Sequence, residues 1–417
     1  MIDNNTLIKI AQEYGTPTYV FDHEAVRERA ASVRRIMNAG AASPIKLCFS
    51  IKANPFLIPA LIDSVDYFEV CSPGELSICK DMHVPADRII YSGVHKEIED
   101  IREAVCYEPD YRGGFLSVAL ITAESLRHYE MIDQVATSEQ VSVKVLPRLS
   151  SKSQFGMSIS DIEQIINRSF NNMWIEIAGL HYFAGTQRSK LKHQREELSE
   201  LKEIFLRLRT EYNLPLSHFE YGPGLPFPYF YGDDFSDTLS PLKELAEDLW
   251  EVSSYSSLTV EMGRFLASSC GYYLTSVCDL KSSYDHNWCI LDGGINHVNY
   301  LGQMMGLKCP VCRIIESEGN GTCTRFENEA EYKDATGTRK KWTLCGSLCT
   351  TNDVLVRDFP GGELNIGDIL VLENIGAYSV TEGIYLFLSR DMPSIVTVDR
   401  DTIALVREIK HTWKLNL

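Results

Sequence analysis

The chain has 417 residues, with 57 acidic and 40 basic side chains and a formal net charge of −17. Hydrophobic residues make up 44% and charged residues 23%, which is ordinary for a globular protein long enough to hold more than one folding unit. No apolar run approaches the roughly 20 residues of a membrane helix, and the N-terminus lacks the pattern of a secretory signal. The acidic balance argues against nucleic acid as a partner. We therefore expect a cytoplasmic protein that binds neither membranes nor nucleic acid.

Twelve cysteines are present, and a secreted disulfide scaffold is not expected at this length without a signal. The pairs Cys309/Cys312 and Cys345/Cys349 leave a structural zinc site open as an alternative. The second pair has an extra residue between its cysteines, which disfavours zinc, so no metal is predicted. Most of the thiols should be reduced and buried.

Short β-branched or aromatic runs alternate with helical patterns through the first two thirds of the chain. This alternation predicts a parallel sheet, and eight rounds fit a (β/α)8 TIM barrel. A doubly wound open sheet is the structural alternative, although no Gly-x-Gly-x-x-Gly turn opens it. The predicted strands are Lys46–Ile51, Tyr67–Val70, Ile89–Tyr91, Gly114–Ile121, Ser142–Arg148, Ile177–Tyr182, His218–Tyr221 and Leu258–Val260. The predicted helices include Pro55–Ser64, Gly74–Asp81, Glu97–Glu103, Ser160–Asn167, Leu191–Tyr212 and Leu239–Glu251.

After Gly271 the pattern becomes β-rich, which predicts a second, all-β domain. Residues 22–267 should form the barrel, and residues 1–21 and 268–417 the β domain, with Thr16–Phe21 as a strand that could join it. The polar stretch Glu316–Lys341 is predicted to be a mobile insertion.

The active site of such a barrel lies where the strands end. Lys52 follows the first strand in an apolar run, where a lysine can lose solvation and act as a nucleophile. Taken alone, it is better explained as a solvated surface lysine. Gly222 and Gly224 form a turn suited to a phosphate, and Arg264 follows the last strand. Glu261 either pairs with Arg264 or holds a cofactor. A lysine, a phosphate site and a carboxylate together suggest pyridoxal 5′-phosphate.

Six motifs in order resemble those of the fold-type III pyridoxal-phosphate decarboxylases, the diaminopimelate and ornithine decarboxylase family. The resemblance spans nearly the whole chain and implies the same fold, a barrel plus a β domain, as in alanine racemase and ornithine decarboxylase. The motifs are Lys52-Ala53-Asn54, Phe68-Glu69-Val70-Cys71-Ser72-Pro73-Gly74-Glu75, Gly185-Thr186-Gln187, Glu261-Met262-Gly263-Arg264, Cys349-Thr350-Thr351-Asn352-Asp353 and Gly376-Ala377-Tyr378.

The resemblance implies a role for each matching residue. Lys52 is similar to the Schiff-base lysine, and Glu261 to the carboxylate that pairs with the pyridinium nitrogen. Glu69 and Arg148 match a pair near the cofactor ring, for which a plain structural ion pair is the alternative. The implied phosphate-binding residues are Thr186, Gly222, Gly224, Arg264 and Tyr378.

Cys349 resembles a cysteine that reaches the active site of the partner subunit and protonates the carbanion left after CO2 departs. A thiol with a pKa near ~8.5 can do this at neutral pH. The resemblance therefore implies a head-to-tail homodimer with shared active sites. The alternative for Cys349 is a buried hydrophobic residue of the β domain.

The chain departs from the family at several positions. Phe183 stands where a His usually stacks on the cofactor ring, and His181 lies two residues earlier. Thr350 replaces a glutamate that recognises the distal amino group of diaminopimelate, and Tyr300 falls near the place of an expected arginine. These differences predict a modified or conjugated amino acid substrate in a specialised pathway, such as siderophore or antibiotic biosynthesis. The predicted substrate contacts are Arg264, Asp292, Tyr300, Thr350 and Asp353.

Three alternatives remain open. The chain could be a diaminopimelate, lysine or ornithine decarboxylase. It could be an amino acid racemase, although Glu261 stands where racemases generally have arginine. It could also be a non-catalytic homologue, against which the intact Lys52 and Cys349 argue.

Overall fold

The computed structural model describes residues 2–111, 113–300, 306–317 and 323–417, which divide into two compact units. The barrel unit comprises Arg29–Pro226 and Leu239–Leu266. The β unit comprises the residues up to Glu28 together with Phe227–Thr238 and Ala267–Leu417. This division differs from the predicted boundaries mainly at Phe227–Thr238. This segment lies within the predicted barrel range but belongs to the β unit.

The helices follow one another in chain order, and none in the described part of the chain is long and apolar enough to cross a membrane. They are α1 (Asn4–Tyr14), α2 (His23–Asn38), α3 (Ile58–Leu61), α4 (Pro73–Asp81), α5 (Ile98–Val105), α6 (Leu126–Glu139), α7 (Ile159–Ser169), α8 (Leu191–Glu211), α9 (Ser240–Ser253), α10 (Arg264–Ala267) and α11 (Glu329–Thr338).

The strands are β1 (Thr18–Asp22), β2 (Lys46–Ser50), β3 (Tyr67–Val70), β4 (Ile89–Tyr91), β5 (Glu108–Pro109), β6 (Phe115–Leu116), β7 (Leu120–Ala123), β8 (Val143–Pro147), β9 (Ile175–Ile177), β10 (Gly179–Phe183), β11 (His218–Gly222), β12 (Ser257–Met262), β13 (Gly271–Ser283), β14 (His286–Leu291), β15 (Cys312–Ile315), β16 (Cys323–Arg325), β17 (Trp342–Cys345), β18 (Val354–Phe359), β19 (Ile369–Glu373), β20 (Ser394–Asp399) and β21 (Thr402–Arg407).

A parallel sheet forms the wall of the barrel, in the order β10-β11-β12-β2-β3-β4-β7-β8-β9. Only Ala178 separates β9 from β10, so the two act as one interrupted strand. β8 pairs with β9, and Arg148, just past β8, bridges to His181 in β10. The ring therefore closes with eight strands, which confirms the predicted (β/α)8 barrel. The predicted strand Gly114–Ile121 begins too early, because Phe115–Leu116 forms a separate hairpin with Glu108–Pro109.

Local sequence explains how the strand ends are presented. Ser72 caps α4, with its Oγ accepting from the backbone N–H of Glu75 at 3.2 Å, and Pro73 occupies the first helical turn. The helix therefore begins directly after β3, and the chain between them is held at the carboxyl end of the barrel. The same edge of the sheet carries the ends of β2, β10 and β12.

The β unit is built on a mixed sheet in the order β16-β15-β19-β13-β1-β20-β21, with β14, β17 and β18 branching from β13. Most pairs are antiparallel, whereas β1–β20 and β14–β17 are parallel. The prediction that the first strand joins this sheet is confirmed, since β1 pairs with both β13 and β20. The helix α1 buries Leu7 and Ile10 against this sheet, so the unit is not purely β.

The prediction of a mobile insertion at Glu316–Lys341 is wrong for the part of it that the structure describes. Cys323–Arg325 pairs with β15, and α11 follows. Tyr332 of α11 stacks on Tyr231 with ring centroids 4.7 Å apart, and Phe326 packs edge-on against both rings. Residues 318–322 of the stretch lie outside the described residues.

Candidate active site

Lys52 lies just beyond β2, in a short 3-10 turn that covers Ile51–Ala53. Its Nζ donates to Glu69 Oε2 at 2.6 Å and to Cys71 Sγ at 3.4 Å, and it lies 3.7 Å from Glu261 Oε1. Its side chain is 36% exposed, whereas those of Glu69 and Glu261 are almost fully buried. The amine is therefore held by two buried carboxylates and still reaches solvent.

Glu261 lies near the end of β12 and has partners on both oxygens. Ser50 Oγ donates to Oε1 at 3.1 Å, and His181 Nε2 lies 3.2 Å from Oε2. Burial alone would raise the pKa of Glu261, but the ammonium of Lys52 and the hydrogen bond with His181 outweigh it and hold that pKa well below its ordinary value. The carboxylate is therefore ionised, and it accepts hydrogen bonds. The predicted alternative, a salt bridge from Glu261 to Arg264, stays a prediction.

Arg148 and Glu69 have different hydrogen-bond partners among the described residues, which does not support the alternative of an ion pair between them. Arg148 Nη1 donates to Glu124 Oε1 at 2.8 Å, and Glu124 Oε2 accepts from the backbone N–H of Gly156 at 3.0 Å. Glu69 is bound to Lys52 instead. The Arg148 guanidinium lies 5.9 Å from the centroid of the Phe183 ring, which places a cation beside the predicted stacking residue.

A cavity of about 310 Å³ opens between these side chains at the carboxyl end of the barrel. It brings together Lys52, Glu261, Phe183, His181, Glu69 and Arg148, all of which the sequence singled out. Its lining residues are Lys52, Glu69, Cys71, Gly93, Val94, His95, Glu124, Arg148, Phe155, His181, Phe183 and Glu261.

The turns after β10 and β11 pack backbone against backbone beside this cavity. A Cβ on Gly224 would lie 1.9 Å from the Gly185 carbonyl oxygen, and the φ of Gly224 is +61°. A Cβ on Gly222 would lie 2.3 Å from the Phe183 ring. The predicted phosphate turn is therefore a close-packed one that only glycine allows. Thr186 in the neighbouring turn is exposed, and Arg264 begins α10 with 6% of its surface exposed.

Cys349 and Tyr378 belong to the β unit. Cys349 is exposed, as is Cys278, and all twelve cysteines are free thiols. Tyr378 is half-buried in the loop after β19, with a φ of +69°. Thr350 is also half-buried beside Cys349. The only group of three converging metal-ligating side chains among the described residues contains no cysteine, and the zinc alternative gains no support.

The polar groups of three predicted substrate contacts form hydrogen bonds within the β unit. Asp353 is buried and accepts from the backbone N–H groups of Ile295 and Leu348. Asp292 accepts from the hydroxyls of Thr16 and Thr275 and from the backbone N–H of Ser276.

Tyr300 is buried too, and its hydroxyl donates to the Glu373 carbonyl at 2.5 Å. These three side chains hold loops together, and their role as substrate contacts stays a prediction. Asp353 in particular ties together the turn that carries Cys349.

Sequence reasoning missed three groups at the cavity. Cys71 touches the Lys52 amine, and Glu124 is the true partner of Arg148. Glu220, in the middle of β11, is fully buried behind them. A carboxylate between Phe219 and Tyr221 in a strand buried throughout was the available signal for Glu220. The pairing of Arg148 had no such local signal.

The family model described as pyridoxal-dependent decarboxylase, pyridoxal binding domain, matches residues 24–268, more than half of the chain. A diaminopimelate decarboxylase of Aquifex aeolicus is 24% identical over 98% of this chain and 92% of its own. The L-glutamyl-[BtrI acyl-carrier protein] decarboxylase of Niallia circulans is 24% identical over 97% and 94%. The crystal structure of diaminopimelate decarboxylase from Helicobacter pylori complexed with L-lysine superposes with a TM-score of 0.82, at 18% identity over 98% and 99%.

The chain belongs to the pyridoxal-dependent decarboxylase family. It is a carboxy-lyase that uses pyridoxal 5′-phosphate, and its relatives act on amino acids. The racemase and the non-catalytic homologue considered from the sequence are thereby set aside.

Proposed function

We propose that this member of the pyridoxal-dependent decarboxylase family removes the α-carboxylate of a modified or conjugated amino acid in a specialised biosynthetic pathway. The observation that carries the proposal is the cavity at the barrel's carboxyl end, where Lys52 lies between Glu69 and Glu261. The described residues fit pyridoxal 5′-phosphate. They supply an accessible amine, an ionised carboxylate and a glycine turn.

Bound pyridoxal 5′-phosphate supplies an electron sink for the bond that breaks at Cα. Lys52 provides the amine that binds the cofactor's carbonyl carbon. Glu261, kept ionised by Lys52 and His181, would accept a hydrogen bond from the protonated ring nitrogen and so stabilise its protonated form. Phe183 offers a face to the ring, while Arg148 and Glu124 anchor each other beside it.

The phosphate group fits the turns after β10, β11 and β12. Gly222 and Gly224 let backbone N–H groups approach an anion closely, and Arg264 adds a cation at the start of α10. Thr186 and Tyr378 complete the proposed set with hydroxyls.

The substrate proposal rests on Tyr300 and Thr350, which match the positions where the family binds the distal groups of diaminopimelate. Tyr300 is neutral and its hydroxyl is used, and Thr350 carries no charge. These positions therefore offer no charged partner for a distal carboxylate or amine. The relative from Niallia circulans acts, by its name, on a glutamyl group attached to a carrier protein, which supports a conjugated substrate.

A decarboxylation assay on purified protein tests this proposal. CO2 release would be measured with diaminopimelate, lysine, ornithine and arginine, and with aminoacyl groups linked to a carrier protein or other large group. We expect turnover of a conjugated amino acid to exceed that of every free one. Efficient turnover of diaminopimelate would support the second candidate, diaminopimelate decarboxylase, which the relative from Aquifex aeolicus favours.

We also propose a homodimer in which Cys349 of one subunit serves the cavity of the other as the acid that protonates Cα. Its exposure in the single chain fits a residue that works at a partner's site. The turn around it is fixed by Asp353, which would hold the thiol in one place.

Cys349→Ala should keep the lysine-bound cofactor and its visible absorption but lose correct protonation. A positioned acid contributes about 100-fold or more to such a step, so the rate of amine formation should fall by at least that order. Product analysis would detect the drop and any carbonyl by-product. Cys278→Ala removes the other exposed thiol of the β unit and should change nothing. Normal amine formation by Cys349→Ala would rule out this acid.

A further inference from the structure

Glu220 is a buried carboxyl group that the proposed reaction does not use. It lies at the centre of β11, where the side chains of His218–Gly222 are all buried, and it has no exposed surface. Both of its carboxyl oxygens lack a hydrogen-bond partner among the described residues. A buried acid of this kind is costly unless it is neutral or gains a partner when the site is complete.

The His181–Glu261 pair lies close to Glu220. One ring nitrogen of His181, one oxygen of Glu220 and one oxygen of Glu261 all lie within 4.8 Å of one another. His181 uses Nε2 toward Glu261, while its Nδ1 is buried and also lacks a partner among the described residues. Glu220 and His181 therefore belong to one cluster, and each has a buried polar atom without a partner among the described residues.

Electrostatics decide which of these groups holds a proton. Burial, followed by the negative charges of Glu261 and Glu69, raises the pKa of Glu220 well above its ordinary value. Lys52 and Arg148 oppose this shift but do not reverse it. The pKa of the buried Cys48 thiol on β2 is also raised, first by burial and then by the charge of Glu220. Glu220 is therefore a neutral acid with a hydrogen to donate.

The His181 ring provides the acceptor. In an uncharged imidazole one nitrogen donates and the other accepts. Because ionised Glu261 can only accept, Nε2 must carry a hydrogen, and Nδ1 is then a buried acceptor when the ring is uncharged. The only neutral acid in the cluster is Glu220.

We propose that Glu220 is a positioning residue that donates a hydrogen bond to His181 Nδ1 through one bridging water, and so fixes Nε2–H toward Glu261. This inference rests on the proposed function in assigning Glu261 to the cofactor's ring nitrogen. Glu220 would thus act on the cofactor through the side chains of His181 and Glu261 without touching it.

Nitrogen-15 NMR of histidine-labelled holoenzyme tests the proposal, with His181→Gln used to assign the signal. In the wild type, His181 should show a bare Nδ1 and a protonated Nε2 at neutral pH. Glu220→Gln keeps an N–H donor and should preserve this tautomer. Glu220→Leu removes the donor and should lose the single tautomer. It should also shift the pH midpoint of the bound cofactor's visible absorption by about one unit or more.

Two results would overturn the proposal. One is a protonated Nδ1 in the wild type, because Glu220 would then be the acceptor for an imidazolium. The other is a Glu220→Leu variant with the wild-type tautomer and pH midpoint. Glu176→Gln, which changes an exposed carboxylate on β9, is the control and should leave both readouts unchanged. Neither readout involves CO2 release. Failure of the substrate proposal would therefore be seen in the decarboxylation assay and not in these two readouts.

Discussion

Lys52 and Lys96 both follow barrel strands near the cavity, but they differ in burial and in hydrogen-bond partners. Lys52 is partly exposed and bound to Glu69. Lys96 is 3% exposed, donates to the Gly93 carbonyl at 2.5 Å, and lies 5.3 Å from the centroid of the Tyr91 ring. Burial lowers the pKa of Lys96 from 10.5 to about 8, although the charge of Glu124 works against this.

This shift predicts a pH-dependent stability that Lys96→Met should abolish. Below pH 8 both the folded and the unfolded chain hold the proton, and the folded chain bears the full desolvation cost. Between about pH 8 and 10.5 the folded chain loses the proton first, so wild-type stability should rise relative to the variant. The change should be on the order of 3 kcal/mol. Denaturant unfolding of both proteins at about pH 7.5 and about pH 10 would measure the change in the free energy of unfolding. An equal difference at both pH values would contradict it.

At this scale the sequence identified residues better than their partners. Lys52 and Glu261 could be found because a strand end and a local motif mark each one. The partner of Arg148 could not, because Glu124 comes from another strand and only the closed barrel brings them together. The hydrogen bond of the Tyr300 hydroxyl could not be found for the same reason, since the carbonyl that it binds is 73 residues away.

At the scale of elements, the predicted barrel strands and helices all overlap observed ones, whereas α11 was not predicted. Barrel strands are buried on both faces and therefore appear as compact β-branched runs. The helix α11 has only Ala335 buried, so it offers no apolar face to detect. It is held by a cap from Asn328 and by the stacking of Tyr332 on Tyr231, about a hundred residues earlier in sequence.

The packed turn after β11 predicts a strong effect of Gly224→Ala. The added Cβ would collide with the Gly185 carbonyl at a positive φ, so both turns of the proposed phosphate site would have to move. We expect weaker cofactor binding by at least about tenfold, a loss of roughly 1.4 kcal/mol. Titration of the apoprotein with pyridoxal 5′-phosphate would measure it.

Gly337→Ala is the matched control. Gly337 lies in α11 with nothing within 4 Å of the added Cβ, so the change should leave cofactor affinity intact. It should also stabilise the helix slightly. Unchanged affinity in Gly224→Ala would contradict the close-packed cradle.

For the whole molecule, the order of barrel and β domain followed from the chain's changing pattern, and so did the contribution of both chain ends to the β unit, whereas the contribution of Phe227–Thr238 did not. This unit takes strands from both ends of the chain, and β1 pairs with β13 and β20 across more than 250 residues. It also takes Phe227–Thr238, where Phe230 bridges to Pro310. Such long-range pairing leaves no local trace in sequence.

The proposed shared-site dimer predicts that two inactive variants restore activity when mixed. Lys52→Ala lacks the amine and Cys349→Ala lacks the acid, so a mixed dimer has one site with both groups intact. Random exchange of subunits should recover roughly a quarter of the wild-type rate. Activity of the mixture after partial unfolding and refolding would be compared with each variant alone. No recovery, with mixed dimers present by mass spectrometry, would place both groups in one subunit.

The most direct test of the central claim is to locate the cofactor on the chain. The protein would be loaded with pyridoxal 5′-phosphate, reduced with borohydride, digested and analysed by mass spectrometry. We expect a phosphopyridoxyl group on Lys52. It should be lost in Lys52→Ala but not in Lys46→Ala, at the opposite end of β2. Labelling of Lys96 in place of Lys52, or of no specific lysine, would contradict it.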